Sequence, residues 1–335
     1  MKSFYDLAQF EPAQVEELLA LAKRLQSHPE PQALAGKVLS LLFLSPSLRT
    51  LSSFQAAMIR LGGGTFVISP EMSIHGMETH AGVVMDGKAA EHIHEAVPVI
   101  ASYGDAMGVR AFAERRNLKR DLADEAYLEI AKLVDKPLIN LESAAYHPCQ
   151  SLGDWKTLDE LGVPRKGGRV VIAWTFHPRA LPLSGPISTL QMAAMRGMDV
   201  TVLRPDGFGM PASVLERANA LARKSGGSVR ESNAREESLE GAHVVYAREW
   251  SSTDLYGDTV AETKRRNELT DWCVDDRWFA KTAENCRLMH SMPVRRGVSV
   301  ADAVLDGPRS ALIRQAENRM WAQMAVLYRL MKGAG

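Results

Sequence analysis

Cysteine is scarce. The chain has three in 335 residues, Cys149, Cys273 and Cys286, far apart and with no C-x-x-C pair. That excludes a disulfide scaffold, argues against a zinc site and fits a reducing compartment. Net charge is missing, since Lys+Arg 40 balances Asp+Glu 40. Without a basic excess, counterion release cannot drive binding to nucleic acid or an anionic membrane. A small anion needs only a local cluster and is not excluded. No apolar run approaches the roughly 18 residues of a membrane span, and Met1-Lys2-Ser3-Phe4-Tyr5-Asp6 has no apolar signal region. The expected setting is the cytoplasm. Also absent is a Gly-x-Gly-x-x-Gly after a first strand. The cluster Gly62-Gly63-Gly64 precedes a strand run instead, which weakens a nucleotide-binding reading.

What is present is globular in composition, 46% hydrophobic and 24% charged. At roughly 100–200 residues per domain the length predicts two domains. Residues 10–28 read as an amphipathic helix with Val15, Leu18, Leu19, Ala22 and Leu25 on one face. Strand-like runs follow at 38–44, 65–69, 106–112 and 137–141, with helical patterns at 48–61, 93–103 and 122–134. The second half repeats the rhythm, with strands at 169–174, 200–203, 243–247 and 287–290. Helices lie between them, including 212–225, closed by Gly226-Gly227. The helical run 148–161 joins the halves, and 315–331 is long and amphipathic. Residues 76–79, 179–186 and 251–260 are irregular. Strands alternating with helices predict an α/β fold of two doubly wound parallel-sheet domains. One covers 1–147, with the C-terminal helix 315–335 packing back on it; the other covers 148–314.

Phe43-Leu44-Ser45-Pro46-Ser47-Leu48-Arg49-Thr50 lies where a strand opens into a helix. A helix start offers free N–H groups and a positive dipole end. Ser47, Arg49 and Thr50 add hydroxyls and a guanidinium, enough to hold a phosphate without a glycine-rich loop. The plainer reading is a Ser N-cap with a solvated Arg. Three more polar clusters fall at strand ends: Arg110 after Gly108-Val109, His147-Pro148-Cys149-Gln150, and His290-Ser291-Met292-Pro293-Val294-Arg295-Arg296. Ligands of open α/β sheets collect outside the carboxyl ends of strands.

Together these motifs resemble the aspartate/ornithine carbamoyltransferase superfamily, with its Ser-x-Arg-Thr loop, His-Pro-x-Gln and His-Cys-Leu-Pro. Within it the chain resembles the N-acetylornithine and N-succinylornithine enzymes. Shared segments are Val84-Met85-Asp86-Gly87, Trp174-Thr175-Phe176-His177-Pro178, Tyr246-Ala247-Arg248-Glu249-Trp250 and Pro293-Val294-Arg295-Arg296. The Ser-Met-Gly loop of ordinary ornithine carbamoyltransferases, which grips a free α-amino group, is absent.

The resemblance implies carbamoyl phosphate and an N-acyl-L-ornithine as substrates, a homotrimer, no cofactor or metal, and a trefoil knot in the second domain. In that knot residues 251–258 would pass under 178–186. Thr50, Arg110, His147 and Gln150 would be catalytic. Ser47, Leu48, Arg49, Thr50, Arg110, His147, Gln150 and Arg295 would bind carbamoyl phosphate. Glu142, His177, Arg248, Met292, Arg295, Ala90 and His75 would line the acylornithine site. Several positions depart from the family: Ser291 and Met292 replace its Cys and Leu, Arg248 its Lys and His75 its Trp. Ala90 stands where acetyl-type enzymes have Glu and succinyl-type enzymes Pro, which favours N-succinyl over N-acetyl. A catalytically silent carbamoyltransferase-like subunit, or an enzyme for another amine, remains as an alternative.

Overall fold

The structure is a computed structural model that describes residues 1–69, 76–80, 82–111 and 113–332. It divides into two compact units. The first is Met1–Glu114, Lys119–Cys149 and Arg319–Gly335; the second is Arg115–Leu118 and Gln150–Asn318.

The first unit contains β1 (Ser3–Phe4), β2 (Val38–Phe43), β3 (Gly64–Ile68), β4 (Met77–Glu78), β5 (Glu91–His92), β6 (Ala106–Arg110) and β7 (Leu138–Glu142). Its sheet runs β1-β7-β6-β2-β3, parallel throughout, while β4 and β5 form a separate parallel pair. The central strands are buried along their whole length, as expected when helices cover both faces of a parallel sheet. The helices are α1 (Pro12–Ser27), α2 (Leu48–Arg60), α3 (Ile93–Ser102), α4 (Leu118–Leu122, shared with the second unit) and α5 (Glu125–Lys132).

The helix expected over 122–134 is therefore two helices. Asp124 breaks it, with φ at 55° and its carboxylate turned into the core. There it accepts from the Tyr5 hydroxyl (2.9 Å), the Ser143 hydroxyl (2.5 Å) and the Ala144 N–H (3.0 Å). Satisfying that buried carboxylate outweighs the lost turn of helix.

The second unit holds β8 (Arg169–Trp174), β9 (Asp199–Leu203), β10 (Ser228–Ser232), β11 (Val244–Arg248) and β12 (Arg287–Met289) in the parallel order β10-β9-β8-β11-β12. Its helices are α6 (Pro148–Glu160), α7 (Ser184–Met195), α8 (Ala212–Ser225), α9 (Arg235–Leu239), α10 (Thr259–Asn267) and α11 (Asp302–Asp306). The irregular stretches 179–186 and 251–260 are shorter than expected. α7 begins at Ser184 with Pro186 in its first turn, where a missing N–H costs nothing. α10 begins at Thr259, capped by the Asp258 carboxylate on the Ala261 N–H.

The last helix, α12 (Leu312–Met331), contributes to the first unit from Arg319 onward. There the Arg60 guanidinium lies 5.5 Å from the Trp321 ring centre, and the Tyr328 hydroxyl donates to Glu30 at 3.0 Å. The expected packing of the C-terminal helix on the first unit is thus present.

The glycine cluster has a steric purpose. Gly62 sits at φ 85°, and a Cβ there would stand 2.3 Å from the Pro31 carbonyl oxygen. At Gly63 it would stand 2.5 Å from the Met58 methyl. These residues let α2 turn tightly into β3. Gly62→Ala is expected to destabilise the protein by about 2 kcal/mol or more, through strain at positive φ plus the clash. Denaturant unfolding would measure it.

Candidate active site

In the first unit, β2 ends at Phe43 and α2 starts at Leu48, with Ser47 as the extended N-cap. The Ser47 Oγ accepts from the Thr50 N–H (3.3 Å) and donates to the Thr50 Oγ1 (3.0 Å). Thr50 is buried, Arg49 half-buried and Leu48 exposed. Leu48 therefore brings its backbone, not its side chain, to the helix start.

Two strands away from β3, a register irregularity shapes the site. Val109 on β6 pairs with Asn140 on β7, yet the next residue, Arg110, pairs with Glu142, so Leu141 is skipped. This sets a buried guanidinium against a buried carboxylate at 2.5 Å. The His147 Nε2 lies 3.6 Å from the same Glu142 oxygen. Glu142 thus stands with Arg110 and His147 in the first unit.

A further cation here escaped the sequence reading. Arg319, on α12, is buried, and its electrostatic neighbours are Arg49, Arg110, Cys149 and Glu142. Burial, then repulsion from Arg49 and Arg110, pulls its pKa down to about 10. It remains charged at neutral pH, so it adds a third guanidinium to Arg49 and Arg110, whose repulsion it feels. A dianion placed among them would relieve that repulsion. The signal was present in the sequence: a helical period buries Gln315, Asn318, Arg319 and Gln323, and polar residues on a buried stripe are rarely mere packing.

Gln150 opens α6 and is buried. Its Nε2 donates to the Asp154 Oδ1 (2.7 Å), and Asp154 also takes the Gln315 amide (2.7 Å) and the Tyr246 hydroxyl (2.8 Å). Asp154 therefore fixes which end of the Gln150 amide is donor. The opposite end, Oε1, is the acceptor type that a substrate NH2 needs.

The second unit has its own polar cluster at the ends of β8, β11 and β12. The Arg295 Nε–H donates to the His177 Nε2 (2.8 Å), so the ring carries its proton on Nδ1, 2.8 Å from the Arg179 carbonyl oxygen. Burial chiefly lowers the His177 pKa; the Arg179 carbonyl and Glu249 oppose this, while Arg295 and Arg266 add to it. His177 is a neutral ring at pH 7. Arg248, buried at the end of β11, has the Glu249 carboxylate 3.7 Å away. Gly185 lies beside it: a Cβ there would come within 2.8 Å of the Arg248 Nε. Arg266 ties the loops together by donating to the Trp250 carbonyl (2.5 Å) and the His177 carbonyl (3.4 Å) while paired to Glu262 (2.6 Å). Met292 has φ 50° and precedes a cis Pro293; Ser291 is buried beside it. The three cysteines are free, Cys149 and Cys286 buried and Cys273 half-buried.

Ala90 is exposed just before β5. His75 lies outside the described residues. Ser47, Arg49, Thr50, Arg110, Glu142 and His147 thus fall in the first unit, and His177, Arg248, Met292 and Arg295 in the second.

A helix start with Ser47, Arg49 and Thr50 in one α/β unit and an arginine–histidine cluster at strand ends in the other fit a transferase. Residues 2–160 match the carbamoyl-P binding domain, and residues 187–330 the Asp/Orn binding domain, of aspartate/ornithine carbamoyltransferase. The chain belongs to the aspartate/ornithine carbamoyltransferase family, and it is a carbamoyltransferase. It is 34% identical to the N-acetylornithine carbamoyltransferase of Xanthomonas campestris pv. campestris, over 99% of this chain and 98% of that one. It is 32% identical to the N-succinylornithine carbamoyltransferase of Bacteroides thetaiotaomicron, over 89% of this chain and 88% of that one. Its fold matches the crystal structure of an N-acetyl-L-ornithine transcarbamylase variant, one glutamate replaced by alanine, complexed with carbamyl phosphate and N-succinyl-L-norvaline. That match has a TM-score of 0.93 and 34% identity, covering 98% of this chain and 100% of the other.

Carbamoyl phosphate is expected to raise the Tm, by mass action on a site that the unfolded chain lacks. Arg49→Ala should lose most of that shift, because a charged hydrogen bond to phosphate is worth about 1.5–3 kcal/mol. Differential scanning fluorimetry with and without the ligand checks both; an undiminished shift in the variant would refute a phosphate cradle at the start of α2.

Proposed function

We propose that the protein transfers the carbamoyl group of carbamoyl phosphate to the side-chain amine of an N-acyl-L-ornithine, N-succinyl favoured over N-acetyl. The products are an N-acylcitrulline and phosphate, in arginine biosynthesis. The observation that carries this reading is the sign of the second unit's cluster. Arg295 donates to the neutral His177 ring and Arg266 to its carbonyl, while Arg248 ends β11; set against the carboxylates of Glu249 and Glu262, the three arginines leave a cation in excess. Such a site suits carboxylates and an uncharged amide, and disfavours the α-ammonium of free ornithine.

In this mechanism the phosphate lies at the start of α2, against Ser47, the Leu48 backbone, Arg49 and Thr50, with Arg319 behind it. Thr50, Arg110 and His147 donate to the carbamoyl oxygen as negative charge develops there. Glu142 holds Arg110 and His147 in place for that task. The Gln150 Oε1 accepts from the carbamoyl NH2. The neutral side-chain amine attacks the carbamoyl carbon, the carbon–phosphate oxygen bond breaks, and phosphate departs into the cradle. The departing phosphate is the candidate acceptor of the amine proton. Holding two substrates in attack geometry supplies much of the rate. Arg248, His177, Met292 and Arg295 hold the acylornithine, and Arg248 keeps the charge of the family's Lys with a planar donor fork.

Two features of this proposal concern architecture. The assembly is a cytoplasmic homotrimer; the exposed apolar run Val83, Val84 and Met85 supports a covered face there. The knot is supported by the Ser251 N–H and hydroxyl, which both donate to the Leu181 carbonyl oxygen (2.9 and 2.7 Å) and seat residues 251–258 against the 178–186 loop.

Product formation with ornithine, N-acetylornithine and N-succinylornithine, side by side, tests the reading. Free ornithine should be a poor substrate, since an unpaired buried ammonium costs several kcal/mol. Comparable turnover of ornithine would overturn the assignment.

The acyl preference has its own test. The relative whose glutamate is replaced by alanine holds N-succinyl-L-norvaline, and Ala90 likewise places no charge near a succinyl carboxylate. Ala90→Glu is expected to lower kcat/KM for N-succinylornithine by roughly tenfold through like-charge repulsion, while N-acetylornithine is little changed. Equal losses on both substrates would remove Ala90 from the acyl pocket.

A further inference from the structure

Glu249 has no role in the mechanism above, yet it touches both Arg248 and His290 in the second unit's cluster. Its side chain is fully buried, directly after Arg248 at the end of β11. One oxygen, Oε1, lies 3.3 Å from the His290 Nε2. The other, Oε2, faces the Arg248 Nη1 at 3.7 Å. His290 is itself fully buried, and its Nδ1 accepts the Met292 N–H at 2.8 Å. An imidazole that accepts at Nδ1 carries its proton on Nε2, and that proton points to the carboxylate. The loop 290–295 is thereby anchored at one end by the His290 ring and at the other by the bond from Arg295 to His177.

We propose that Glu249 is a positioning residue for the acylornithine: its carboxylate sets the Arg248 guanidinium and, through His290, the loop carrying Met292 and Arg295. This rests on the function proposed above. Burial alone would make a carboxyl reluctant to ionise. His290, Arg248 and the Ser299 hydroxyl outweigh that and hold Glu249 well below the ordinary carboxylate range. The titratable groups that feel it from other elements are the neutral His177 after β8 and the charged Arg266 on α10. Gly185 on α7 closes the far side of Arg248, so the guanidinium is confined between a carboxylate and a helix backbone. A buried arginine without such an anchor would be drawn to whichever acceptor lay nearest, at the expense of the substrate.

The test compares wild type, Glu249→Gln, Glu249→Asp, Arg248→Gln and the double variant Arg248→Gln/Glu249→Gln. Glu249→Gln should raise the KM for N-acylornithine by about 10–100-fold and leave that for carbamoyl phosphate within about twofold, the pattern of a misplaced binding group. Glu249→Asp should recover part of the loss. The double variant should lose less than the two single losses combined, because part of the effect of Glu249 passes through Arg248. Nitrogen NMR of the histidines, assigned with His290→Gln, should show wild-type His290 as the Nε2–H tautomer, with its Nε2 resonance displaced in Glu249→Gln as the charged partner is lost. An unchanged acylornithine KM, additive losses, or a His290 Nε2 resonance indifferent to Glu249 would each overturn the proposal. If wild type carbamoylates neither acylornithine, the proposed function fails, and the histidine spectrum still decides the role of Glu249. If Glu249→Gln does not fold, Glu249→Asp supplies the spectrum and the KM.

Discussion

The first unit depends on one buried ion pair, Arg110 with Glu142, at the carboxyl ends of neighbouring parallel strands. An unpaired guanidinium in that position would cost more than a domain's whole margin of stability can spare. The skipped residue between β6 and β7 is the backbone adjustment that lets the pair form. Regular pairing would set Arg110 opposite Leu141 and leave both charges without their partner. His147 joins the pair from the next loop, so one carboxylate orients both the guanidinium and the imidazole. The groups suited to a developing negative oxygen are thus held before any substrate arrives, which is the condition for electrostatic preorganisation.

The second unit solves the same problem with different residues. There too a carboxylate at a strand end, Glu249, stands between an arginine and a histidine, and a second carboxylate, Glu262, serves Arg266. Parallel sheets favour this outcome. Their strand interiors are apolar on both faces, so polar groups collect at the carboxyl ends, where the chain leaves the sheet. Each cluster has to satisfy its own charges, and the anions are as much a part of it as the cations.

Most of the fold was legible because β2, β8 and β11 are continuous apolar runs and α1, α2 and α8 keep a helical period. What escaped has identifiable causes. β10 is Ser-Val-Arg-Glu-Ser on the edge of its sheet, where one side of the ladder faces solvent and no apolar run is needed. α7 is expected as a helix between β8 and β9 but without bounds, because it is buried on all sides and has no polar face to mark its period. Asp124 split a helix through partners more than a hundred residues away in one case, Tyr5, which no local pattern reveals. In the site, Ser47, Arg49, Thr50, His147 and Gln150 stood out because they form short motifs. Arg319 and Glu249 did not, since their surroundings include neighbours distant in sequence: Arg110 and Glu142 for one, His290 for the other.

The substitution at Ser291 has a chemical consequence. A hydroxyl stands where relatives of this kind carry a thiol, and the cysteines the chain does have are poor nucleophiles. Cys149 sits in the first turn of α6, where a helix terminus favours a thiolate, but burial prevails and pushes it up to about 12. Burial pushes Cys286 up to about 11, and Cys273 upward as well. At neutral pH these thiols stay protonated, so peroxide, heavy metals and alkylating reagents find little thiolate to attack. These three cysteines are therefore poorly suited to serve as a thiol switch.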